Sequence, residues 1–276
     1  MGMGGNMLKP NEFIVNYSRA GAAKCGSGAL RLFLLAVLSG FILACAGAAA
    51  SNAAFSIQLA SVAKLVSALI FPFGLIAIIF TGAELFTGNC LITISVLDRT
   101  ASLYGMVRNL VIVYVGNFIG SAVVAAAVAY SGSEALILYI IKAAAGKCSL
   151  SFGKALVMGF MCNVLVCLGV VCSLTTTTPS GRAMGAYIPV CLFVLCGFEH
   201  SIAHMFYVPC ALFALALPGC QSLHEALTNS GISAEQLTWL NFFVKNLVPV
   251  TIGNIVGGAG LGALLWYCHR ENSRIK

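Results

Sequence analysis

Charged residues are scarce in this sequence. They make up 8% of its 276 residues against 60% hydrophobic, and the mean hydropathy is +0.98. A soluble domain carries roughly 25% charged side chains, and a folded chain of this size has to present polar surface to water. The shortage excludes a water-soluble globule and leaves lipid as the solvent. No basic patch with interleaved aromatics occurs, so the net charge of +7 does not mark a nucleic-acid binder. The lysines and arginines lie at the chain ends and between apolar runs, as membrane topology would place them. The twelve cysteines form no CxxC pair and no Cys/His cluster with zinc spacing. Cys45, Cys90, Cys162, Cys167, Cys172, Cys191, Cys196 and Cys210 lie inside apolar segments and read as small hydrophobes. No apolar core precedes Leu30, which argues against a cleavable signal peptide.

What the sequence does have is long apolar runs. A spanning helix needs about 20 mostly apolar residues, and six candidate spans fall near 30–50, 60–97, 106–130, 152–176, 184–216 and 241–267. The second and fifth are too long for one helix and too short for two joined by a loop. Each is interrupted in its middle, by TGAELFTGN (81–89) and by GFEHS (197–201). Irregular backbone at membrane depth needs protein partners or a water-filled path, so the breaks mark the functional site.

An internal repeat agrees. NLVIVYVGNFIG (109–120) and NLVPVTIGNIVG (246–257) share Asn, Leu, Val, Val, Gly, Asn and Gly in register. The second and fifth spans both break beside a glutamate, Glu84 and Glu199, and the first and fourth share a Gly-Phe pair, Gly40-Phe41 and Gly159-Phe160. The expected fold is an all-α membrane protein of two three-helix halves. An odd number of spans per half inverts one half relative to the other, which is a transport architecture. With both termini cytoplasmic, the inside carries Lys9, Arg19, Lys24, Arg31, Arg99, Arg108, Arg182, Arg270, Arg274 and Lys276. The outside and its approach carry only Lys64, Lys142, Lys147, Lys154 and Lys245. The chain thus divides into a cytoplasmic segment (1–29) with an amphipathic helix over 11–25 at the membrane surface, a six-helix transmembrane channel domain (30–268) and a cytoplasmic tail (269–276).

Ionisable side chains within spans cost roughly 2.5–3.5 kcal/mol or more to insert and point to function. Glu84, Glu199, His200 and His204 qualify. Each glutamate is expected to pin its break by accepting backbone N–H bonds, leaving His200 exposed to a permeating species. An imidazole, with an ordinary pKa of about 6.5, can hydrogen-bond a weak-acid anion or exchange a proton with it. The His200/His204 pair has i,i+4 spacing, but the glutamates complete no known metal-ligand pattern. Neither metal nor cofactor is expected. Thr87 and Asn89 open the second half of the second span, where free N–H groups and a dipole end attract anions; Thr87 either bonds the anion or caps the half-helix. Asn117 and Asn254 read as helix–helix hydrogen-bonding residues, and the glycines of 253–261 as close-packing positions.

TGAELFTGN (81–89), CNVLVCL (162–168), GFEHSIAHM (197–205) and NLVPVTIGN (246–254) together resemble the formate/nitrite transporter family, over about residues 15–268. The resemblance implies an aquaporin-like six-helix fold with broken second and fifth helices, assembled as a homopentamer with a pore in each protomer. It implies permeants such as formate, nitrite or hydrosulfide, and in some members lactate or acetate, often moving with a proton. The motif threonine falls on Thr87 and the pore histidine on His200. The cytoplasmic-side constriction falls on Leu75, Leu85 and Phe86, and the outer one on Phe193. The anion-drawing lysine falls on Lys147 and the pore-associated asparagines on Asn163 and Asn254. Where this chain has His204 the family usually has Asn, so His204 either adds a titratable group or replaces a hydrogen bond.

The expected function is therefore a channel or transporter for a small monovalent anion in the inner or plasma membrane, with formate first and nitrite and hydrosulfide behind it. A neutral-solute channel is the alternative on the same architecture, but paired NPA motifs are absent. An intramembrane enzyme built on Glu199 and His200 lacks a nucleophile or metal set in the sequence.

Overall fold

The computed structural model describes residues 7–229 and 237–270; the expected tail lies almost wholly outside them. Six helices are long and apolar enough to span a bilayer, and no strand occurs among the described residues. The first span is α2 (Ala29–Ala54). The second begins as α3 (Ala60–Ile70) and α4 (Phe73–Thr81), breaks, and resumes as α5 (Phe86–Asn89), a 3₁₀ turn at Cys90–Ile92 and α6 (Thr93–Leu97). The third is α7 (Leu103–Ser131). After α8 (Glu134–Cys148) come the fourth span, α9 (Phe152–Leu174), and the fifth, split into α10 (Pro179–Cys196) and α11 (Ser201–Ala216). Beyond α12 (Gln221–Asn229) the last span runs from α13 (Trp239–Asn241) through a π-helical stretch, Phe242–Leu247, into α14 (Val248–His269).

Both breaks end their first half in the same way. Gly82 (φ +67°) and Gly197 (φ +71°) take the left-handed conformation that glycine adopts without steric cost. Ala83 N–H then reaches back to Ile78 O at 3.1 Å, and Phe198 N–H to Phe193 O at 3.0 Å, the signature of a Schellman stop. A glycine at this position, with an apolar residue and then a glutamate after it, is where each sequence leaves the helix.

The repeat glycines set the helix crossings. A Cβ on Gly120 would strike Val37 O, and one on its counterpart Gly257 would strike Phe160 O; Gly116 and Gly253 meet Phe33 O and Leu156 O in the same paired fashion. These positions must be bare for α7 to lie on α2 and α14 on α9. The pairing also corrects the repeat register. Val37 corresponds to Phe160, so Gly40 corresponds to Asn163 and not to Gly159. The Gly-Phe coincidence is four residues, one helical turn, out of step with the packing.

Each half also contains one helix more than the apolar runs show. The amphipathic helix expected at 11–25 is α1 (Pro10–Gly26), but Phe13, Ile14 and Tyr17 are buried against protein, packed on Leu91, Ile94 and Cys167. Ser18 Oγ donates to Asp98 at 2.6 Å and fixes α1 on the end of α6. Its counterpart is α8, and the dipeptides Lys24-Cys25 and Lys147-Cys148 occupy matching positions near the two helix ends. Lys147 thus stands at the end of a short helix near the face opposite the termini (the distal face), and Lys24 near the terminal face.

Gly120→Leu and Gly257→Leu are expected to abolish recovery of monodisperse folded protein by size-exclusion chromatography. Gly260→Ala, where the added carbon meets nothing within 4 Å, leaves it intact.

Candidate functional site

A break inside a bilayer leaves peptide groups without helical partners, and here two asparagines supply them. Asn117 Oδ1 accepts from Phe86 N at 3.0 Å, while its Nδ2 donates to Glu84 O at 2.9 Å and Ala36 O at 2.8 Å. Asn254 Oδ1 accepts from Ser201 N at 2.9 Å, and its Nδ2 donates to Glu199 O at 3.0 Å and Gly159 O at 2.8 Å. One residue on the third span and its repeat on the sixth therefore hold the two breaks by identical sets of bonds. The irregular segments at the breaks are also tied sideways, Glu84 N to Leu35 O and Glu199 N to Met158 O.

The glutamates do something else. The expectation that they accept backbone N–H bonds is corrected: the asparagines already satisfy the backbone, and both carboxylates face lysines. Glu84 Oε2 accepts from Lys24 Nζ at 2.6 Å and Asn89 Nδ2 at 2.7 Å. Asn89 Oδ1 accepts from Lys24 at 3.1 Å, and Asn109 links Asn89 to the Lys24 carbonyl. In the other half Glu199 Oε2 contacts Lys147 Nζ at 2.8 Å and His204 Nε2, and Asn246 joins His204 Nδ1 (2.7 Å) to the Lys147 carbonyl (2.8 Å). Two matched quartets result: Lys24, Glu84, Asn89 and Asn109 toward the terminal face; Lys147, Glu199, His204 and Asn246 toward the distal face. Lys24, Asn109 and Asn246 escaped the sequence reading, although the matching Lys-Cys dipeptides and the first Asn of each NLV repeat were visible signals.

Beside the distal quartet lies a cavity of about 460 Å³ that opens toward the distal face. Lys64, Phe71, Lys147, Phe193, His200 and His204 line it. Phe193 sits edge-on to Phe71, ring centroids 6.0 Å apart, and stacks on His200 at 5.8 Å. Phe71 completes the aromatic pair around Phe193 and was not singled out in the sequence. His200 is 3% exposed. Its Nδ1 accepts from Ala203 N at 3.1 Å, capping α11, and its Nε2 lies 3.0 Å from Thr87 Oγ1. Because Nδ1 spends its lone pair on a backbone donor, the neutral ring carries hydrogen on Nε2 and donates it to Thr87. Among the described residues, the Thr87 hydroxyl hydrogen has no protein acceptor.

Leu75, Leu85 and Phe86 do not line this cavity. They are buried, Phe86 edge-on to Tyr114 at 4.8 Å and Leu75 against Gly169. Asn163 and Asn254 are also set back from it. Asn163 Nδ2 donates to Thr87 O at 3.1 Å and Asn254 O at 2.6 Å, so both asparagines act on backbone behind the Thr87–His200 pair. No group of three or more His, Cys, Asp or Glu side chains suited to a metal occurs among the described residues.

Six spans in two inverted halves, two of them broken around a buried imidazole, define a membrane channel or transporter of the inverted-repeat class. The chain belongs to the formate/nitrite transporter family, whose description, Formate/nitrite transporter, matches residues 11–268. It is 36% identical over 230 residues to a probable formate transporter of Methanothermobacter thermautotrophicus, covering 76% of this chain and 77% of that one. Across 97% of its length it is 30% identical to the formate channel FocA of Escherichia coli K12, covering 96% of that protein. A solved pentameric formate channel with formate bound aligns over 87% of this chain and 96% of its own, at 33% identity and a TM-score of 0.72. An FNT family ion channel shares the fold, with a TM-score of 0.81 at 22% identity, over 93% of this chain and 98% of its own.

Asn117→Ala and Asn254→Ala each strand one N–H and one carbonyl of a break in an apolar interior, while Ala36 O and Gly159 O keep their helical bonds. At about 1–3 kcal/mol per unpaired group, either change is expected to lower stability by at least about 2 kcal/mol, read as a fall in the thermal midpoint of the detergent-solubilised protein.

Proposed function

We propose that this protein passes formate across the cytoplasmic membrane, both termini inside, as a homopentamer with one conduit per protomer. The observation that carries the reading is the Thr87–His200 pair. A neutral imidazole N–H and a hydroxyl with a free hydrogen sit at the end of a lysine-lined vestibule, between apolar closures. Lysines raise the local anion concentration at the mouth. Phe71 and Phe193 oppose a bare charge on one side of the pair and Leu75, Leu85 and Phe86 on the other, because desolvating an ion between apolar walls is costly. Only an anion that accepts hydrogen bonds, or is transiently protonated, crosses such a stretch.

His200 and Thr87 supply those bonds. A hydroxyl hydrogen turned from Thr87 to a carboxylate oxygen strengthens the Nε2–H donation behind it, since hydrogen bonds in a chain polarise one another. A proton lent to the anion comes from the imidazolium: the ring first gains a proton at Nδ1, giving up its cap on Ala203 N, and returns to the neutral form when Nε2 releases its own. Nitrite and hydrosulfide meet the same criteria of size, charge and basicity and are secondary permeants in this reading. The relatives' names, formate transporter and formate channel, place formate first, and the pentamer of the solved relative suggests the assembly.

The protein is read as a transporter and not as an enzyme. A hydroxyl beside an imidazole resembles a nucleophile and its base, but here the imidazole donates to the hydroxyl, the opposite polarity to general-base activation. Ser201 Oγ, the other hydroxyl nearby, has no hydrogen-bond partner among the described groups.

Labelled formate uptake into proteoliposomes is expected well above empty vesicles and competed by nitrite and hydrosulfide; swelling without anion flux would instead indicate a neutral-solute channel. His200→Asn and His200→Phe are expected to lower formate uptake and to change its dependence on pH. A profile unchanged from wild type would remove His200 from proton exchange.

A further inference from the structure

The two quartets are built alike except at one position. The terminal quartet has Asn89, whose Nδ2 donates to Glu84 while its Oδ1 accepts from Lys24. An amide keeps donor and acceptor on separate atoms at every pH. The distal quartet has His204, and there a single atom, Nε2, faces both Glu199 Oε2 and Lys147 Nζ, the latter at 3.2 Å. The other ring nitrogen is committed. Nδ1 lies 2.7 Å from Asn246 Oδ1, and that oxygen is an acceptor because the same amide donates through Nδ2 to Lys147 O. Nδ1 therefore carries a hydrogen, and Nε2 is where a second proton is gained or lost. Its neighbours make opposite demands: a carboxylate needs a donor and an ammonium needs an acceptor.

We propose that His204 is a positioning residue for Lys147, and that a proton on its Nε2 decides which cation Glu199 neutralises. With Nε2 bare, the ring accepts from Lys147, and the ammonium is held between imidazole and carboxylate. With Nε2 protonated, the imidazolium donates to Glu199 and repels Lys147, whose ammonium turns into the cavity that both residues already line. The distal mouth thereby gains an anion-recruiting charge when the solution on that side turns acidic. The terminal mouth does not, because Asn89 takes no proton.

The charged and titratable groups facing the ring are Lys147 from α8, Glu199 from the break and His200 from the start of its own half-helix. Asn246, from the segment behind it, is polar and does not titrate, and no charged side chain of α2 or α7 acts on it among the described residues. Lys147 has one further partner, the Tyr207 ring, 5.7 Å from the ammonium. The consequence for flux rests on the formate-transport reading; the site of protonation rests on the hydrogen bonds alone.

Two measurements test it on the full-length protein. In proteoliposomes with oriented insertion, the formate concentration that half-saturates influx from the distal side is expected to fall about fivefold between about pH 7 and pH 5, the effect of one partly solvated charge. Over that range formate stays an anion, as its ordinary carboxyl pKa requires. Half-saturation from the terminal side stays flat. His204→Asn, which copies the terminal quartet, flattens the distal side too, and Asn89→His confers the dependence on the terminal side. A flat distal response in wild type, or a slope that survives His204→Asn, overturns the proposal; His204→Gln serves if the Asn variant does not fold.

Independently, ¹⁵N-histidine spectra should show His204 Nε2 changing protonation with pH while Nδ1 stays protonated, and a static Nε2 overturns the proposal whatever the flux. If Nε2 titrates and the Lys147 ammonium resonance moves with it, but no formate crosses, the switch stands and the transport reading falls.

Discussion

The constraint on which this structure depends is that a peptide group inside a bilayer must find a partner. A continuous helix meets it automatically; a broken one does not, and each unpaired group costs free energy comparable to a lost hydrogen bond or more. Asn117 and Asn254 meet it at the two breaks with one side chain each, bonding an N–H on one side of the gap and a carbonyl on the other. Each also bonds a carbonyl of the neighbouring first or fourth span. The breaks are thereby rigid and tied to helices that do not break, and a cavity can persist beside them. The close helix crossings permitted by Gly116, Gly120, Gly253 and Gly257 are part of the same arrangement, because an amide side chain is short and reaches three backbone groups only where the helices nearly touch.

With the backbone satisfied by asparagine, the glutamates are free to hold lysines. A buried ion pair is a poor source of stability, since the attraction has to offset the desolvation of both charges. Neither pair here is fully buried on its cationic side: Lys24 and Lys147 keep 27% and 21% of their side-chain surface, against 10% and 8% for the carboxylates. That gradient suits a mouth better than a core. The carboxylate fixes the lysine at the threshold, and the exposed side of the ammonium stays available to what arrives from the aqueous phase. Neutralisation is partial by geometry, which lets a cationic threshold exist without a bare charge in an apolar wall.

Much of this was legible in the sequence. The six spans, the two breaks, the inversion and the candidacy of His200 and of Thr87 followed from run length, punctuation and repeat, because membrane solvent leaves so few ways to place glycine and charge; that the two side chains meet did not. What was not legible has a physical reason in each case. Helix α8 lies outside the long apolar runs, since it packs at the distal end without crossing. Asn117 was read as generic helix–helix bonding because a sequence shows an amide's presence but not which three backbone groups surround it. The register of the first and fourth spans was mistaken by one turn, because a Gly-Phe match is local whereas the true correspondence is set by what α7 and α14 press against. Phe71 lay in an apolar run where nothing but its contact with Phe193 distinguishes it.

The repeat also explains where chemistry is located. Aligning the halves on Glu84 and Glu199 makes Leu85 the counterpart of His200 and Ile202 the counterpart of Thr87; aligning the first and fourth spans makes Gly40 the counterpart of Asn163. The groups that create the fold (asparagine clamps, glycine crossings, glycine stops, lysine–glutamate pairs) are duplicated. The groups that the proposed function assigns to the permeant or its surroundings are not. A symmetric pore would place either two imidazoles or none at its centre: two would present adjacent titratable rings that repel when charged, and none would leave an apolar barrier with no donor. One His200 donating to one Thr87, with Asn163 steadying the Thr87 carbonyl from behind, gives a single donor chain that fits one small anion at a time. His204 is the same kind of departure at the mouth, a titratable ring where the other half keeps an amide. The duplicated scaffold thus determines where the helices break and the cavity forms, and under the proposed function the positions where duplication has been abandoned determine what is handled there and from which side.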